Sequence, residues 1–175
     1  KEYNLNLVWV EAVVDQKKGK GVTYKVVDFE TASRNGEPFE AVIKKLGLPS
    51  KVYRHCTRDL KQGPMHKYAK DILGKDYLTA IGIRADELHR VGKDPTHIYP
   101  LIETKIIEKH VREYWKKQPF DLELKDYQGN CDLCFLKSTR KKLTVIKEIP
   151  DTVDWWARME ETYSDGQRNI FDMHR

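Results

Sequence analysis

Three cysteines are the residues of this chain with the clearest potential for chemistry. Cys131 and Cys134 form a Cys-x-x-Cys pair, whereas Cys56 lies far upstream. Such a pair places two thiolates close enough to hold one metal centre, and a third thiolate completes three corners of a tetrahedral or cubane site. The pattern therefore predicts a metal site with Cys56, Cys131 and Cys134 as its ligands, provided that the fold brings them together.

Two metal sites are compatible with these ligands. Three thiolates can hold a cubane iron–sulfur cluster of the 4Fe–4S type and leave one iron open to a substrate. Alternatively, His55 supplies a fourth ligand and makes a zinc site, although adjacent residues of an extended backbone point to opposite sides. Without a metal, the Cys-x-x-Cys pair fits a redox dithiol, and Cys56 fits a small buried hydrophobe.

Basic residues accompany both cysteine segments. Arg58 and Lys61 lie one helical turn apart after Cys56, and Lys137 follows Cys134. Positive charge near a thiol favours the thiolate and attracts phosphate. These three cations are therefore candidate anion-binding residues beside the predicted metal site.

A second charged cluster follows the apolar segment 76–83, which predicts a buried strand. Arg84, Glu87 and Arg90 are its candidate anion-binding residues, and Asp86 lies among them. Arginine forks recognise phosphate and sulfate through paired hydrogen bonds, and acidic neighbours can orient the arginines or contact a ribose hydroxyl. In open α/β sheets, ligands bind beyond the carboxyl ends of the strands. A surface salt-bridge cluster is the alternative interpretation.

Composition limits the function classes. The chain has 175 residues, a net charge of +5 and 34% charged residues, which suits one domain and excludes a general nucleic-acid coat. It has no apolar run of membrane-spanning length and no signal-peptide pattern at its start. Together with the odd cysteine count, this predicts a cytoplasmic, reducing location. Because the chain does not begin with Met, we expect it to be the C-terminal portion of a longer protein.

The predicted elements alternate between strands and helices, which indicates an α/β domain. We predict strands at 5–14, 23–27 and 76–83. Helices are expected at 38–46, 64–73, 106–117, after a cap at Ser138, and at 153–163. Residues 1–102 form the sheet-containing part of a single domain and residues 103–175 a mainly helical part. Trp155 and Trp156 are interpreted as core or helix-packing residues rather than as a base-stacking platform.

Four segments in a fixed order resemble a known family. They are Cys56-Thr-Arg-Asp-Leu-Lys61, Thr79-Ala-Ile-Gly-Ile-Arg-Ala-Asp-Glu87, Tyr99-Pro-Leu-Ile102 and Gly129-Asn-Cys-Asp-Leu-Cys-Phe-Leu-Lys-Ser138. Together they resemble the phosphoadenosine phosphosulfate reductase-like proteins, especially the short forms of phages and bacteria, within the adenine nucleotide alpha-hydrolase superfamily.

This resemblance implies a Rossmann-like parallel sheet with flanking helices and an adenine nucleotide, ATP or a phosphoadenosine phosphosulfate-like molecule, at its carboxyl edge. It places Arg84, Glu87 and Arg90 at the phosphate or sulfate pocket and the three cysteines at an iron–sulfur cluster. Family members reduce activated sulfate, or adenylate a substrate and deliver sulfur to it, including to nucleic acid. A sulfur-donor or reductant protein is then an expected partner.

Three departures from the family pattern narrow the expectation. The Ser-Gly-Gly-rich pyrophosphate loop is missing from this sequence, a single Cys56 replaces paired cysteines, and no cysteine follows Cys134. The missing loop is expected upstream of Lys1, and without it this chain should bind nucleotide poorly and turn over little. The single Cys56 fits a three-cysteine cluster with an open iron. The missing terminal cysteine favours adenine-nucleotide-dependent sulfur transfer over thioredoxin-linked sulfonucleotide reduction. A non-catalytic nucleotide- or nucleic-acid-binding module with a structural zinc is a further alternative.

Overall fold

The computed structural model describes residues 5–125, 127–129 and 131–164. They divide into two compact units. The thiol unit contains residues 5–72 and 124–164 and carries all three cysteines, whereas the arginine unit contains residues 73–123 and carries the arginine cluster. Residues 165–175, the end of the predicted helical part, lie outside the described residues.

The thiol unit begins with a β-hairpin. Strand β1 (Trp9–Val14) pairs antiparallel with β2 (Val22–Val27), with Trp9 opposite Val27. The connection, residues 15–21, contains Gly19 at a φ of 80°, a left-handed conformation that glycine adopts without a steric cost. Such a short connection joins antiparallel strands, because parallel neighbours need a crossover of a dozen or more residues.

Helices follow the hairpin in the thiol unit. Helix α1 has Pro38 in its first turn and ends at Gly47, whose N–H donates to the carbonyl of Ile43. The later helix α6 begins at Ser138, whose hydroxyl accepts a hydrogen bond from the N–H of Lys141. The helices of this unit are α1 (Glu37–Leu46), α2 (His55–Thr57), α3 (Gly63–Leu73), which reaches the unit boundary, α6 (Thr139–Glu148) and α7 (Asp151–Tyr163), and a π-helical turn (Arg58–Gln62) joins α2 to α3.

The core of the thiol unit lies between α1, α6, α7 and the Cys-x-x-Cys segment. Its buried side chains come from all four of these parts, so the packing fixes the cysteine segment against three helices. The buried core residues are Ile43, Leu48, Leu133, Val145, Trp156 and Met159.

The arginine unit has little regular structure. Strand β3 (Thr79–Ala80) pairs in parallel with β4 (His97–Ile98), and a 3₁₀ turn (Leu88–Arg90) lies in the connection between them. Helices α4 (Pro100–Glu103) and α5 (Glu108–Trp115) complete it.

The predicted Rossmann-like parallel sheet is wrong for the described residues. They contain two sheets of two strands each, one antiparallel and one parallel. Leu5 and Leu7, taken as the start of a buried strand, are 81% and 77% exposed. Of the predicted strand 76–83, only Thr79 and Ala80 form a strand, β3, which has β4 as its single neighbour. Apolar runs predict burial, but a central strand also needs partners on both edges.

Several local predictions are confirmed. The structure has helices at 37–46, 63–73 and 151–163, and Ser138 caps α6. The predicted helix at 106–117 is shorter, at Glu108–Trp115. None of the described helices is both long and apolar enough to span a membrane.

Candidate thiol site

Cys56 lies in the short helix α2, and its side chain is half-buried. The nearby Asp59 is buried and pairs with Arg58, with 2.8 Å between Arg58 Nη2 and Asp59 Oδ2. A buried carboxylate needs such a partner to offset its lost hydration. Because Arg58 is paired with Asp59, the pair attracts an anion at the cysteines less strongly than an unpaired arginine would.

The Cys-x-x-Cys segment is a tight turn held by backbone hydrogen bonds. The N–H of Cys134 donates to the carbonyl of Cys131 at 3.3 Å, and the N–H of Lys137 donates to the carbonyl of Cys134 at 2.9 Å. Between the cysteines, Leu133 is completely buried in the core. Leu133 therefore anchors the turn, leaving Cys131 exposed and Cys134 half-buried.

The three cysteines share one electrostatic environment. Although Cys131 is exposed as a whole, partial desolvation of its thiol raises the pKa, and repulsion from Cys134 and from Cys56 raises it further. Attraction to Lys61 acts on the same pKa in the opposite direction. Cys56 and Lys61 therefore act on the Cys131 thiol although they are distant from it in the sequence.

The donor set suits a thiophilic metal, since thiolates are preferred ligands of zinc and of iron–sulfur clusters. Within the described part of the chain, no three or more Cys, His, Asp or Glu side chains are already arranged to hold a metal ion. The raised pKa of Cys131 also favours the neutral thiol, which must lose its proton to become a ligand. The role of the three cysteines as metal ligands therefore stays a prediction.

Two lysines in the cysteine segments differ in burial. Lys61 is exposed, and its charge acts on Cys131. Lys137 is half-buried, and its Nζ atom is buried without a hydrogen-bond partner among the described residues. A buried ammonium with no acceptor costs free energy. A ligand that supplies an acceptor to Lys137 would recover part of that cost.

The arginine cluster is a network of ion pairs within the arginine unit. Arg84 Nε lies 3.0 Å from an oxygen of Asp86, and Arg84 Nη1 lies 3.5 Å from Glu87. Arg90 Nη1 lies 2.6 Å from Glu87, and a further contact of 3.9 Å joins Arg84 Nη2 to Glu108. The two arginines are therefore occupied by carboxylates, and a phosphate would have to displace these partners.

This pairing changes the acidity of the carboxyl groups. The hydrogen bond from Arg84 lowers the pKa of Asp86, and that from Arg90 lowers the pKa of Glu87. Both carboxylates thus remain charged under mildly acidic conditions. The geometry fits the alternative interpretation of a salt-bridge cluster, and the anion-binding role of Arg84, Glu87 and Arg90 stays a prediction.

The sequence analysis did not predict that Leu133 anchors the cysteine turn in the core. The available signal was small: Leu133 is the one aliphatic residue between the two cysteines. An isolated apolar residue in a polar turn is a candidate anchor, but only packing against α1, α6 and α7 shows that it is buried.

Comparison with known proteins adds one relative. No protein-family model matches the chain, and no solved structure matches it either. The chain is similar to the uncharacterized nin region protein ORF290 of Escherichia phage lambda, with 36% identity over 146 residues. The matched region covers 81% of this chain and 50% of the relative, so the chain spans about half the length of that phage protein.

Proposed function

We propose that the protein takes part in adenine-nucleotide-dependent sulfur transfer in the cytoplasm, with Cys56, Cys131 and Cys134 holding a metal–sulfur centre. The observation that supports this proposal is that the thiol unit holds all three cysteines as free thiols, two of them in one hydrogen-bonded turn. Cys56 comes from a distant segment of that unit, and its thiolate acts to raise the pKa of Cys131. Free thiols gathered from distant segments are the donor set that a thiophilic metal requires.

The bound centre would supply an open coordination position for a sulfur atom. The protein's own residues prepare the site for it. Because burial raises the pKa of Cys131, its thiol is mostly protonated near neutrality, and ligation releases that proton. Lys61 and Lys137 then stabilise the negative charge of the thiolates or of a substrate phosphate.

The nucleotide part of the proposal rests on the resemblance described above. ATP or a phosphoadenosine phosphosulfate-like nucleotide is the expected ligand, with Arg84, Glu87 and Arg90 as candidate contacts. Glu87 holds both arginines through its two oxygens. A nucleotide phosphate that competes for them would free the Glu87 carboxylate to accept a hydrogen bond from a ribose hydroxyl.

The test is purification under anaerobic conditions followed by an absorbance spectrum and determination of iron, acid-labile sulfide and zinc. We expect iron and sulfide, with the iron content of Cys56→Ala, Cys131→Ala and Cys134→Ala each falling by more than about half, since every ligand is needed for the cluster. One bound zinc with neither iron nor sulfide would establish a structural metal instead. Cysteine variants that retain the full metal content would refute the ligand assignment.

A matched lysine pair tests the electrostatic part. Lys137→Gln removes a buried ammonium, whereas Lys141→Gln removes an exposed one from the same region. We expect Lys137→Gln to weaken retention of the metal centre or of a bound nucleotide, because low local dielectric strengthens its interactions. Lys141→Gln should leave both unchanged, and equal behaviour of the two variants would remove Lys137 from the site.

A further inference from the structure

A cavity of about 640 Å³ opens beside Cys131 within the thiol unit. Its walls come from the start of α1, from the Cys-x-x-Cys turn and from the first turns of α7. This volume is in the range of small-molecule sites, about 300–1,000 Å³. The cavity is thus large enough for a mononucleotide, and Cys131 is part of its wall.

The deep side of the cavity is aromatic. Trp156 is 7% exposed and belongs to the core, and Phe39 packs against it with ring centroids 5.3 Å apart. The ring of Trp155 lies 4.8 Å from Trp156 and 5.6 Å from Phe39. A Cβ atom added to Gly36 would lie 2.7 Å from Trp155 Nε1. Trp155 is therefore held in place from several sides and offers a rigid surface to a planar ligand.

The outer side of the cavity is charged, and its charges are largely unpaired. Among the described residues, no hydrogen bond or ion pair engages the side chain of Asp132, Asp154 or Arg158, all of which are exposed. Arg34 differs, because its guanidinium donates to the carbonyl of Phe29 and lies 4.3 Å from the centre of the Phe29 ring. Free carboxylates and one free guanidinium thus stand around an aromatic floor.

We propose that this cavity binds a nucleotide whose base carries an exocyclic amino group, such as adenine or cytosine. The base packs on Trp155, because stacking on an aromatic side chain suits any planar base. Asp132 or Asp154 accepts the hydrogen bonds of the amino group, since an ionised carboxylate can only accept. The phosphate pairs with Arg158, because the other wall guanidinium, Arg34, is already held by the carbonyl and the ring of Phe29.

The cavity is lined by residues of the thiol unit alone, and Cys131 is one of them. The inference rests on the proposed sulfur-transfer function only in that a ligand bound here contacts a thiol. Binding itself does not depend on a metal centre. Nucleotide affinity and metal content consequently test two different statements.

The experiment uses tryptophan fluorescence and calorimetry under reducing conditions, with CMP against UMP and AMP against IMP as matched ligand pairs. CMP and AMP should bind at least about tenfold more tightly than their partners, because a carbonyl in place of the amino group leaves the carboxylate facing another acceptor. Equal affinity within both pairs, or no binding of CMP and AMP at millimolar concentration, overturns the proposal.

Variants identify the cavity as the site. Asp132→Asn/Asp154→Asn should reduce the CMP preference by about tenfold, since the amides lose the charge that strengthens the hydrogen bond. Arg158→Gln should weaken CMP more than cytidine, which has no phosphate. Glu161→Gln, an exposed change on the same helix, is the control and should bind like the wild type. Loss of affinity in Glu161→Gln equal to that in the aspartate variant contradicts the assignment.

Two further measurements distinguish a free nucleotide from a single strand, and the cavity proposal from the metal-centre proposal. A short oligocytidylate that binds much more tightly than CMP indicates that the nucleotide comes from a single strand, whereas equal affinity indicates a free nucleotide, and either outcome supports the cavity. Iron and sulfide without nucleotide binding overturn the cavity proposal alone. Nucleotide binding without any metal supports the cavity and refutes the metal–sulfur centre.

Discussion

Leu133→Ala is the most direct test of how the thiol turn is held. Leu133 is completely buried between Cys131 and Cys134 and belongs to the core cluster of the thiol unit. Truncating a buried leucine removes its transfer free energy and leaves a cavity, at a cost of about 2–5 kcal/mol. For a protein of this size, about 3 kcal/mol corresponds to a fall in Tm of roughly 6–12 °C.

The assay is urea unfolding and thermal melting followed by circular dichroism, with Leu136→Ala as the matched control. Leu136 lies in the same segment but is 54% exposed, so its truncation should cost less than about 1 kcal/mol. We also expect Leu133→Ala to make the three thiols react independently, because the turn loses its anchor. Equal losses of stability in the two variants, or a cost below about 1 kcal/mol for Leu133→Ala, would refute the reasoning.

Three other predictions follow from particular contacts. Gly36→Ala should cost more stability than Gly19→Ala, because both glycines have φ near 80° but an added Cβ meets a neighbour only at Gly36; thermal melts that rank them equally would contradict this. Lys61→Met should raise the pKa of the Cys131 thiol, since Lys61 lowers it. Alkylation of Cys131 by iodoacetamide should then need a higher pH in the variant than in the wild type. Arg84→Met should destabilise the arginine unit at neutral pH, because the arginine stabilises the ionised carboxylates of Asp86 and Glu87, whose pKa values are lowered in the folded protein. This stabilisation is present above the ordinary carboxyl pKa and is lost as the pH falls through the lowered values, so the difference between the variant and the wild type should vanish on acidification. A difference that persists at a pH where NMR shows both Asp86 and Glu87 protonated in the folded wild type would contradict the ion-pair origin.

Local chemistry in the sequence was a good guide to local structure. Pro38 and Gly47 predict the start and end of α1, and Ser138 predicts the cap of α6, because these residues act on backbone groups within a few positions. The cysteine spacing likewise predicts a turn that brings Cys131 and Cys134 together. Each of these signals depends only on neighbours in the chain.

Such local signals did not predict the sheet correctly. The apolar segment 76–83 predicts a central strand, yet only two of its residues form a strand, and that strand has a single neighbour. Apolarity measures the tendency of a side chain to leave water. Whether a segment becomes a central strand depends on backbone partners supplied from elsewhere in the chain.

The sequence by itself determined the chemical inventory of this protein: three thiols, the basic residues beside them and the helix boundaries around them. Tertiary structure decided which of these groups act on one another. It placed Cys56 in one unit with Cys131, paired Arg58 with Asp59, and buried Leu133. Charge and burial act through space, and distances in space between remote segments are set by packing rather than by residue type.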